Sequence, residues 1–583
     1  MPNRRARAVS DQSQSKWIAL GVVAGCAWFV SCSASRAWQG SSAREEATRV
    51  DGVAAPVAVA AAAEAVVTAV QGAAAMAEAA SVAAAVPAAA TAPRVAPAVE
   101  NVEVAATNES GATVAAVAAV GAEPEVGAEP VAGGSASDAN VGDAAPKDRE
   151  VPLMYVAARE VFVYAKPSFT SKKLGYLRAG TKVTRSAQAV SFERCAKGFY
   201  RIAPEGFVCA GDSARLTGGD AVSELADVRP DRAAPMPYVY ARSKAPAPPL
   251  YVKLPSAAEQ ARTEPELPRA GFSLRGGLAD LPLSALPPLL ADGHALPTPF
   301  GHEYDRGMVS SGRALADSAF AITRVFEHNQ RRFGLTTDLL LVPLERLQAV
   351  TPSKFHGIAL EEMGLPVAFV MQRGAFLWSG EAGGSLRPTR KLDFREAVAL
   401  TGKNRRVDGI RWLETRAGDW IRDENLRRVD MPSSLPAAAR RGQSFIWVSI
   451  GKQALLAFQG EKPVYATLVS TGADGLGDPE TTRSTPLGQF LVHTKHVSVT
   501  MSSDEAGAEF ELKDIPYVQY FKDNYALHAA FWHDGFGTPR SHGCINLAPL
   551  DARFLFHWTE PPVPAAWHGA FSLRDGTLLV IEP

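Results

Sequence analysis

The sequence has no excess of charge of either sign and no hydrophobic run long enough to predict a membrane span. Its 583 residues carry 60 Lys and Arg against 61 Asp and Glu, and a net charge of −1 gives no electrostatic reason to expect nucleic acid as a partner. The apolar run over 17–30 falls short of the roughly 20 residues that span a bilayer. The length leaves room for about three or four domains.

The first 37 residues have the pattern of an export signal. Four basic residues precede the apolar run, as signal peptides require. Cys26 follows Val-Ala-Gly and Cys32 follows Phe-Val-Ser, and both contexts resemble the lipobox at which bacterial lipoproteins are cut and acylated. We expect an exported protein of the periplasm or cell envelope, held to the membrane through a lipid on Cys26 or Cys32. An uncleaved anchor and cleavage after Ala37 are the alternatives.

Aromatic residues are almost absent from 38–149, where Ala, Val, Pro, Gly and Glu dominate. Such a composition cannot bury enough apolar surface to form a packed core. We predict a disordered tether that lets an anchored protein reach away from the membrane. A linker whose length has no function is the alternative.

Cysteine is scarce, with five residues at positions 26, 32, 195, 209 and 544. Two belong to the export signal and one to the motif described next, which leaves Cys195 and Cys209 for each other. They flank two strand-like runs at 199–202 and 206–208, so a disulfide across a hairpin is predicted in an oxidising compartment.

One short stretch combines the remaining cysteine with histidine. Residues 541–546 are Ser-His-Gly-Cys-Ile-Asn, and His528 lies upstream. A thiol becomes a nucleophile when a neighbouring imidazole removes its proton. The segment 549–558 begins with Pro and carries apolar residues on one side, which predicts a helix directly after this turn. Cys544 is therefore the candidate nucleophile.

This motif resembles the signature of the bacterial cell-wall L,D-transpeptidases, the YkuD family. The resemblance extends over 441–583, because strand-like runs at 446–450 and 453–458 and the Thr-Pro-Leu-Gly-Gln-Phe segment at 485–490 are also similar to family segments. It implies a C-terminal β-sandwich with a short helix after the catalytic cysteine. The fold class is therefore mainly β and multi-domain.

The resemblance implies roles for single residues. His528 corresponds to the family's upstream histidine and would be the general base for Cys544, with His542 orienting the site, although the two histidines could exchange these roles. Ser541, Gly543 and Asn546 would shape the turn or the oxyanion site.

The motif gives less definite roles to two neighbouring positions, Arg540 and Ala529. Arg540 is a candidate for contact with a substrate carboxylate, or a solvated loop residue. Ala529 stands where the family often has Gly.

The implied reaction is acyl transfer without a metal or another cofactor. The thiolate attacks the carbonyl of the third residue of a peptidoglycan stem tetrapeptide and releases the terminal D-alanine. An amine of a neighbouring stem, or of a protein to be attached to the wall, then accepts the acyl group. Transfer to water instead would make the protein an L,D-carboxypeptidase.

Two alternatives use the same residues differently. A non-catalytic scaffold would bind peptidoglycan without turnover. A zinc cluster would use the side chains of His528, His533, His542 and Cys544, which are suitable ligand types, but the sequence has neither C-x-x-C nor H-E-x-x-H spacing there.

The rest of the chain divides into modules. Short β-like runs over 150–216 resemble a bacterial SH3-like barrel, either a binder of wall peptides or a spacer. A Pro-rich linker is predicted at 217–300. Residues 301–440 form a middle module with a helix near 314–332 and a possible second SH3-like fold.

Overall fold

β-strands dominate the part of the chain that the structure describes. The computed structural model describes residues 151–266, 274, 276–380, 385–503 and 510–583. The predicted export signal and tether, with Cys26 and Cys32, lie outside the described residues. Within those ranges, no helix combines the length and hydrophobicity needed to cross a membrane.

The first described region is made of short strands. They are β1 (Leu153–Val156), β2 (Val161–Tyr164), β3 (Lys173–Leu177), β4 (Lys182–Thr184), β5 (Phe199–Arg201), β6 (Phe207–Cys209) and β7 (Ala214–Arg215). Strands β5 and β6 form a hairpin, and Cys195 and Cys209 are joined there by a disulfide. The predicted strand-like runs coincide with these strands, whereas the SH3-like assignment stays a prediction.

The described residues of the segment expected to be a linker, 217–266, 274 and 276–300, include helices and paired strands, so that prediction is wrong. Residues 217–349 form α1 (Ala221–Leu225), β8 (Val239–Ser243), β9 (Pro249–Tyr251), α2 (Ala257–Thr263), α3 (Pro288–Ala291), β10 (Ser310–Arg313), β11 (Ala319–His328), β12 (Arg331–Thr336), β13 (Leu341–Pro343) and β14 (Leu347–Ala349). Strand β8 pairs with β11 and β14, and β9 pairs with β10 and β13. The side chains of Tyr240 in β8 and Tyr251 in β9 are buried in the core. Pro249 begins a strand, a position that proline tolerates.

The helix expected near 314–332 is also wrong, because this stretch is a β-hairpin. Strands β11 and β12 pair from Ile322 to the closing pair of His328 and Arg331. The two residues between, Asn329 and Gln330, have φ of 50° and 60°. Two consecutive left-handed residues make the tight turn whose twist matches that of paired strands.

The predicted middle module, 301–440, is divided among three sheets. Its first part belongs to the sheet that contains the β11–β12 hairpin, called the hairpin sheet below. Its second part forms β15 (Ile358–Ala359), α4 (Leu360–Met363), β16 (Val367–Val370), β17 (Phe376–Ser379), β18 (Arg387–Lys391), β19 (Ala397–Val407), β20 (Ile410–Thr415), β21 (Trp420–Arg422), β22 (Leu426–Val429) and α5 (Ala437–Arg440). Strands β16–β22 make a seven-stranded sheet with a hydrophobic cluster of its own. The second SH3-like assignment stays a prediction.

The C-terminal region is a β-sandwich with one longer helix. It contains β23 (Ser444–Ser449), β24 (Ala454–Gln459), β25 (Lys462–Leu468), β26 (Gly488–Leu491), β27 (Thr494–Ser503), β28 (Phe510–Lys522), β29 (Tyr525–Ala529), β30 (Ile545–Leu547), α6 (Pro549–Trp558), β31 (Gly569–Phe571) and β32 (Leu578–Glu582). One layer has the order β15-β25-β24-β23-β32-β26. Ile446 and Val448 of this layer share a buried core with Val497 and Leu527 of the other.

Helix α6 has the bounds that the sequence predicts, and buried polar side chains hold both of its ends. In the first turn, Asp551 accepts hydrogen bonds from Thr467 Oγ1 at 2.5 Å and from the Gly357 amide at 2.8 Å. Near the last turn, Lys495 Nζ donates to the carbonyls of Phe556 and Thr559, both at 2.6 Å. Hydrogen bonds of these two buried side chains therefore join both ends of the helix to neighbouring segments.

The N-terminal strands are built into the C-terminal sandwich. Strand β3 pairs with β31, and β11 pairs with β28. Between them, the buried carboxylate of Asp514 forms an ion pair with Arg178, and its backbone carbonyl accepts a hydrogen bond from Tyr240 at 2.5 Å. Burial alone would raise the pKa of Asp514, but the charge and hydrogen bonds of Arg178 hold that pKa well below its usual range.

Candidate active site

Two neighbouring parallel strands bring the motif's cysteine and the upstream histidine to one cleft. Strand β29 pairs with β30 so that His528 lies opposite Asn546. Side chains of directly paired residues point to the same face, and so do those two positions apart along a strand. Cys544 lies in the bend directly before strand β30, two residues before Asn546. Both side chains line the same cleft.

A backbone carbonyl determines the tautomer of His528. Its Nδ1 lies 3.1 Å from the carbonyl oxygen of Ala529, which can only accept a hydrogen bond, so Nδ1 carries the proton. The other nitrogen, Nε2, is left with a lone pair and can accept a proton. The ring stacks on Trp532 at a centroid distance of 5.7 Å. Burial lowers the pKa of His528 to about 4, so the ring is neutral at pH 7.

The thiol of Cys544 is also neutral in this site. Its Sγ donates to the carbonyl of Asn524 at 3.6 Å, and it is the free cysteine among the described residues. Burial raises the pKa of Cys544 to about 11. Thiol and imidazole therefore rest as an uncharged pair, and the expected thiolate would form only when the proton is transferred during the reaction.

Hydrogen bonds hold the turn before Cys544 in one shape. The hydroxyl of Ser541 donates to the Cys544 carbonyl at 2.5 Å and accepts from the Gly543 amide at 3.1 Å. Gly543 has φ of 116°, and a Cβ there would lie 2.5 Å from the ring of Tyr525. Thr485 donates to the Gly543 carbonyl at 2.8 Å. The Gly543 amide is thus engaged within the turn, which makes Ser541 and Gly543 structural residues there.

A hydrogen bond joins the side chain of Asn546 to His533, to which the motif assigned no such role. The Nδ1 atom of His533 accepts a hydrogen bond from the Gly535 amide at 3.1 Å, so in the neutral ring Nε2 is the donor. This Nε2 lies 3.0 Å from the side-chain amide of Asn546. We therefore assign the carbonyl oxygen of Asn546 to the position facing His533. Burial lowers the pKa of His533 to about 4, which keeps the ring neutral.

His542 and Arg540 lie on the walls of the cleft. The His542 ring packs against Phe510 at a centroid distance of 5.7 Å. The Arg540 amide donates to the Thr471 carbonyl at 2.9 Å, which fixes the backbone beside the motif. Among the described residues, no group of three or more His, Cys, Asp or Glu side chains is arranged to hold a metal ion.

The cleft itself has a volume of about 240 Å³ and walls that are largely apolar. Its lining includes Met501, Phe510, Leu512, Ile515, His528, Trp532, Arg540, Ser541, His542, Cys544 and Asn546. Two further lining residues, Arg242 and Asp317, come from the hairpin sheet outside 441–583. Sequence reasoning missed both, because no local pattern shows that strand β8 packs beside the cysteine.

Comparison with known families identifies the C-terminal region. Residues 443–581 match the family model of the L,D-transpeptidase catalytic domain, YkuD. This part of the chain is an L,D-transpeptidase catalytic domain, as the sequence motifs predict. A comparison with curated proteins gives no match.

Solved structures of L,D-transpeptidases are similar to parts of the chain. An Enterococcus faecium L,D-transpeptidase mutant is 21% identical over 24% of this chain and 49% of that one, with a TM-score of 0.19. A Xylanimonas cellulosilytica L,D-transpeptidase is 21% identical over 26% and 64%, with the same TM-score. Mycobacterium tuberculosis L,D-transpeptidase 3, bound to a faropenem-derived adduct, is 19% identical over 32% and 79%, also at 0.19. The chain thus spans about half to two thirds of the first two proteins.

Proposed function

We propose that the protein is a cell-wall L,D-transpeptidase whose nucleophile is Cys544 and whose general base is His528. The single observation that carries this proposal is the pairing of β29 with β30. It supports the proposal because it brings His528 beside the turn of Cys544, and the two side chains line one cleft. The family match over 443–581 supports peptidoglycan stem peptides as the substrate class, and we propose the stem tetrapeptide as the donor.

The neutral pair suits a reaction in which the proton moves as the bond forms. The sulfur attacks the carbonyl of the third stem residue while Nε2 of His528 takes the thiol proton. Collapse of the tetrahedral intermediate breaks the amide bond, and His528 returns the proton to the departing amine of D-alanine. An acyl thioester remains on Cys544.

A second amine completes the cycle. It attacks the thioester carbonyl and gives its proton to His528, and the proton then returns to the sulfur as the thiol leaves. The acceptor is an amine of a neighbouring stem or of a protein to be attached to the wall. With water as acceptor the same steps give carboxypeptidase activity. His542 keeps its predicted part as a positioning residue on the cleft wall.

The envelope location belongs to the same proposal. It rests on the export pattern of 1–37, with Cys26 or Cys32 as the lipidated residue. Mass analysis of the N-terminal peptide from membrane-extracted protein would identify the modified cysteine. An N-terminus beginning after Ala37 without lipid would contradict the anchor.

Acylation by a carbapenem tests the catalytic site. Because a β-lactam carbonyl reacts with the same thiol, intact-protein mass spectrometry of the full chain should show one adduct, and Cys544→Ala should show none. We expect His528→Gln to slow acylation by about 100-fold or more, since the general base is lost. Folded wild-type protein without an adduct would contradict the proposal and favour the scaffold alternative.

Product analysis separates the enzymatic alternatives. Wild-type protein is incubated with a stem tetrapeptide, with and without an acceptor amine, and the products are weighed. Transfer requires a product joined through the third residue. Release of D-alanine with only the shortened peptide, even at high acceptor concentration, would indicate a carboxypeptidase.

A further inference from the structure

The cleft beside Cys544 contains a cation from outside the catalytic domain. Arg242 lies in the middle of strand β8, paired with Ala319 on one side and Gln348 on the other. Tyr240, two residues earlier on the same face, contacts the ring of Phe531 at a centroid distance of 4.8 Å. This face of β8 is therefore turned towards the catalytic domain, and the Arg242 side chain enters its cleft.

The guanidinium of Arg242 has an N–H group that is not used in a hydrogen bond. Its Nη2 forms an ion pair with Asp317 Oδ1 at 3.2 Å, and the Asp317 side chain is 78% exposed. Its Nε is buried and has no hydrogen-bond partner among the described residues. Guanidinium presents its N–H groups as a fork that fits a carboxylate, and a buried N–H gains most from such a partner. The exposed Asp317 can swing into solvent at little cost.

The charges of the cleft favour an anion. Among the described lining residues, the charged side chains are Arg242, Arg540 and Asp317, which gives a net charge of +1. Arg242, Asp317 and Trp532 also line an adjoining cavity of about 300 Å³. Arg242 thus lines both the cleft of Cys544 and a second cavity.

We propose that Arg242 binds a carboxylate of the peptide whose carbonyl reacts with Cys544. The proposal rests on the transpeptidase function and names a specificity residue for it. Two sources of this group are tested, the terminal carboxylate of the leaving D-alanine and a carboxylate on the side chain of the third residue in a stem that carries one there. A domain outside the catalytic one thereby takes part in substrate recognition.

Binding to an inactive variant tests the contact without turnover. In full-length Cys544→Ala protein, calorimetry compares a stem tetrapeptide with two forms, one amidated at the C-terminus and one amidated on the third side chain. We expect R242Q to weaken binding of the unmodified peptide by about 10-fold or more, as the loss of a charge-assisted pair predicts. R242Q should not weaken the form whose recognised carboxylate is amidated, and this identifies the source.

Two matched variants control for charge and folding. The parent protein in these comparisons is Cys544→Ala. Arg324, on the same sheet, forms an ion pair with Asp227 and does not line the cleft, so R324Q in this background should bind the peptide like the parent. R242K keeps the charge but not the fork and should lie between the parent and R242Q. In the active enzyme, R242Q should raise KM far more than it lowers kcat. A structural defect would lower kcat and the melting temperature instead.

Three results would overturn the proposal. The first is equal binding of all three peptides by the parent, and the second is an equal loss for all three in R242Q. The third is a parent that binds none of them while wild-type protein still forms the thioester. Wild-type protein that forms no thioester at all would instead remove the transpeptidase function, and the two failures are thereby distinguished.

Discussion

The side chains of Cys544 and His528, the proposed nucleophile and base, both have pKa values shifted towards their neutral forms. Burial raises the pKa of Cys544 to about 11 and lowers that of His528 to about 4. A preformed thiolate–imidazolium pair would reverse both preferences. A raised thiol pKa lowers the fraction of thiolate at pH 7, and the thiolate is the reactive form.

A titration of the thiolate absorbance tests this resting state. The absorbance near 240 nm, taken as the difference between wild type and Cys544→Ser, should stay low at pH 7 and rise only as the pH approaches about 11. The sign follows from burial, which favours the uncharged thiol. His528→Gln should leave the curve unchanged at pH 7. An absorbance already present at pH 5 and lost in His528→Gln would instead indicate an ion pair.

Helix α6 shows how buried polar groups position the active-site turn from behind. The helix begins at Pro549, five residues after Cys544 and directly after the loop that follows strand β30. Asp551 joins its first turn to strand β25 by a hydrogen bond with Thr467. Lys495 of strand β27, in the other layer of the sandwich, hydrogen-bonds to its last turn. The helix thus links both layers next to the nucleophile.

Removal of the Lys495 ammonium should destabilise this arrangement. Lys495→Met leaves the buried carbonyls of Phe556 and Thr559 without their donor, and we expect the free energy of unfolding to fall by about 2–4 kcal/mol. Urea denaturation measures the change. Lys462→Met, at an exposed position of strand β25, is the matched control and should change it by less than about 0.5 kcal/mol. Equal effects of both variants would show that Lys495 does not hold the helix.

The sequence predicted the elements that rest on local patterns. Helix 549–558 and the strands around 446–458 agree with the structure, because proline at the start and apolar periodicity are local signals. The hairpin at Asn329 and Gln330 was missed, since its turn lacks the glycine that usually marks one. Arg242 and His533 could not be placed, because their contacts join residues far apart in sequence.

Across the described residues, the chain is less modular than its sequence suggests. Strand β3 belongs to a predicted separate domain, yet it pairs with β31 of the catalytic domain, and the two regions share one hydrophobic core. Several histidines are buried where the regions meet. Tyr176 of β3 donates to or accepts from His496 Nδ1 at 3.0 Å, and His568 lies against Ser498 and Arg178.

These histidines should make the folded chain sensitive to acid. Burial lowers the pKa of His496, His528 and His533 to about 4 and that of His568 well below its usual value. The unfolded chain binds these protons near pH 6.5, so it holds more protons than the folded chain between about pH 6.5 and 4. The contribution of these histidines to stability is therefore full above pH 6.5 and is lost as the pH falls towards 4.

Denaturation midpoints between pH 8 and pH 4 measure this dependence. His568→Asn and His496→Gln should each flatten the curve in that window, while substitution of an exposed histidine such as His294 should not. A midpoint that stays constant down to pH 4 would show that the buried rings are already charged in the folded state.

The oxygen that orients His528 is part of the main chain at Ala529. Every amino acid supplies that oxygen, so replacing Ala529 cannot delete it, and an alanine scan of this site would pass over one of its working parts. Only chemistry that alters the peptide link itself, such as an ester or thioamide introduced by semisynthesis, can weaken this acceptor while the side chains stay the same.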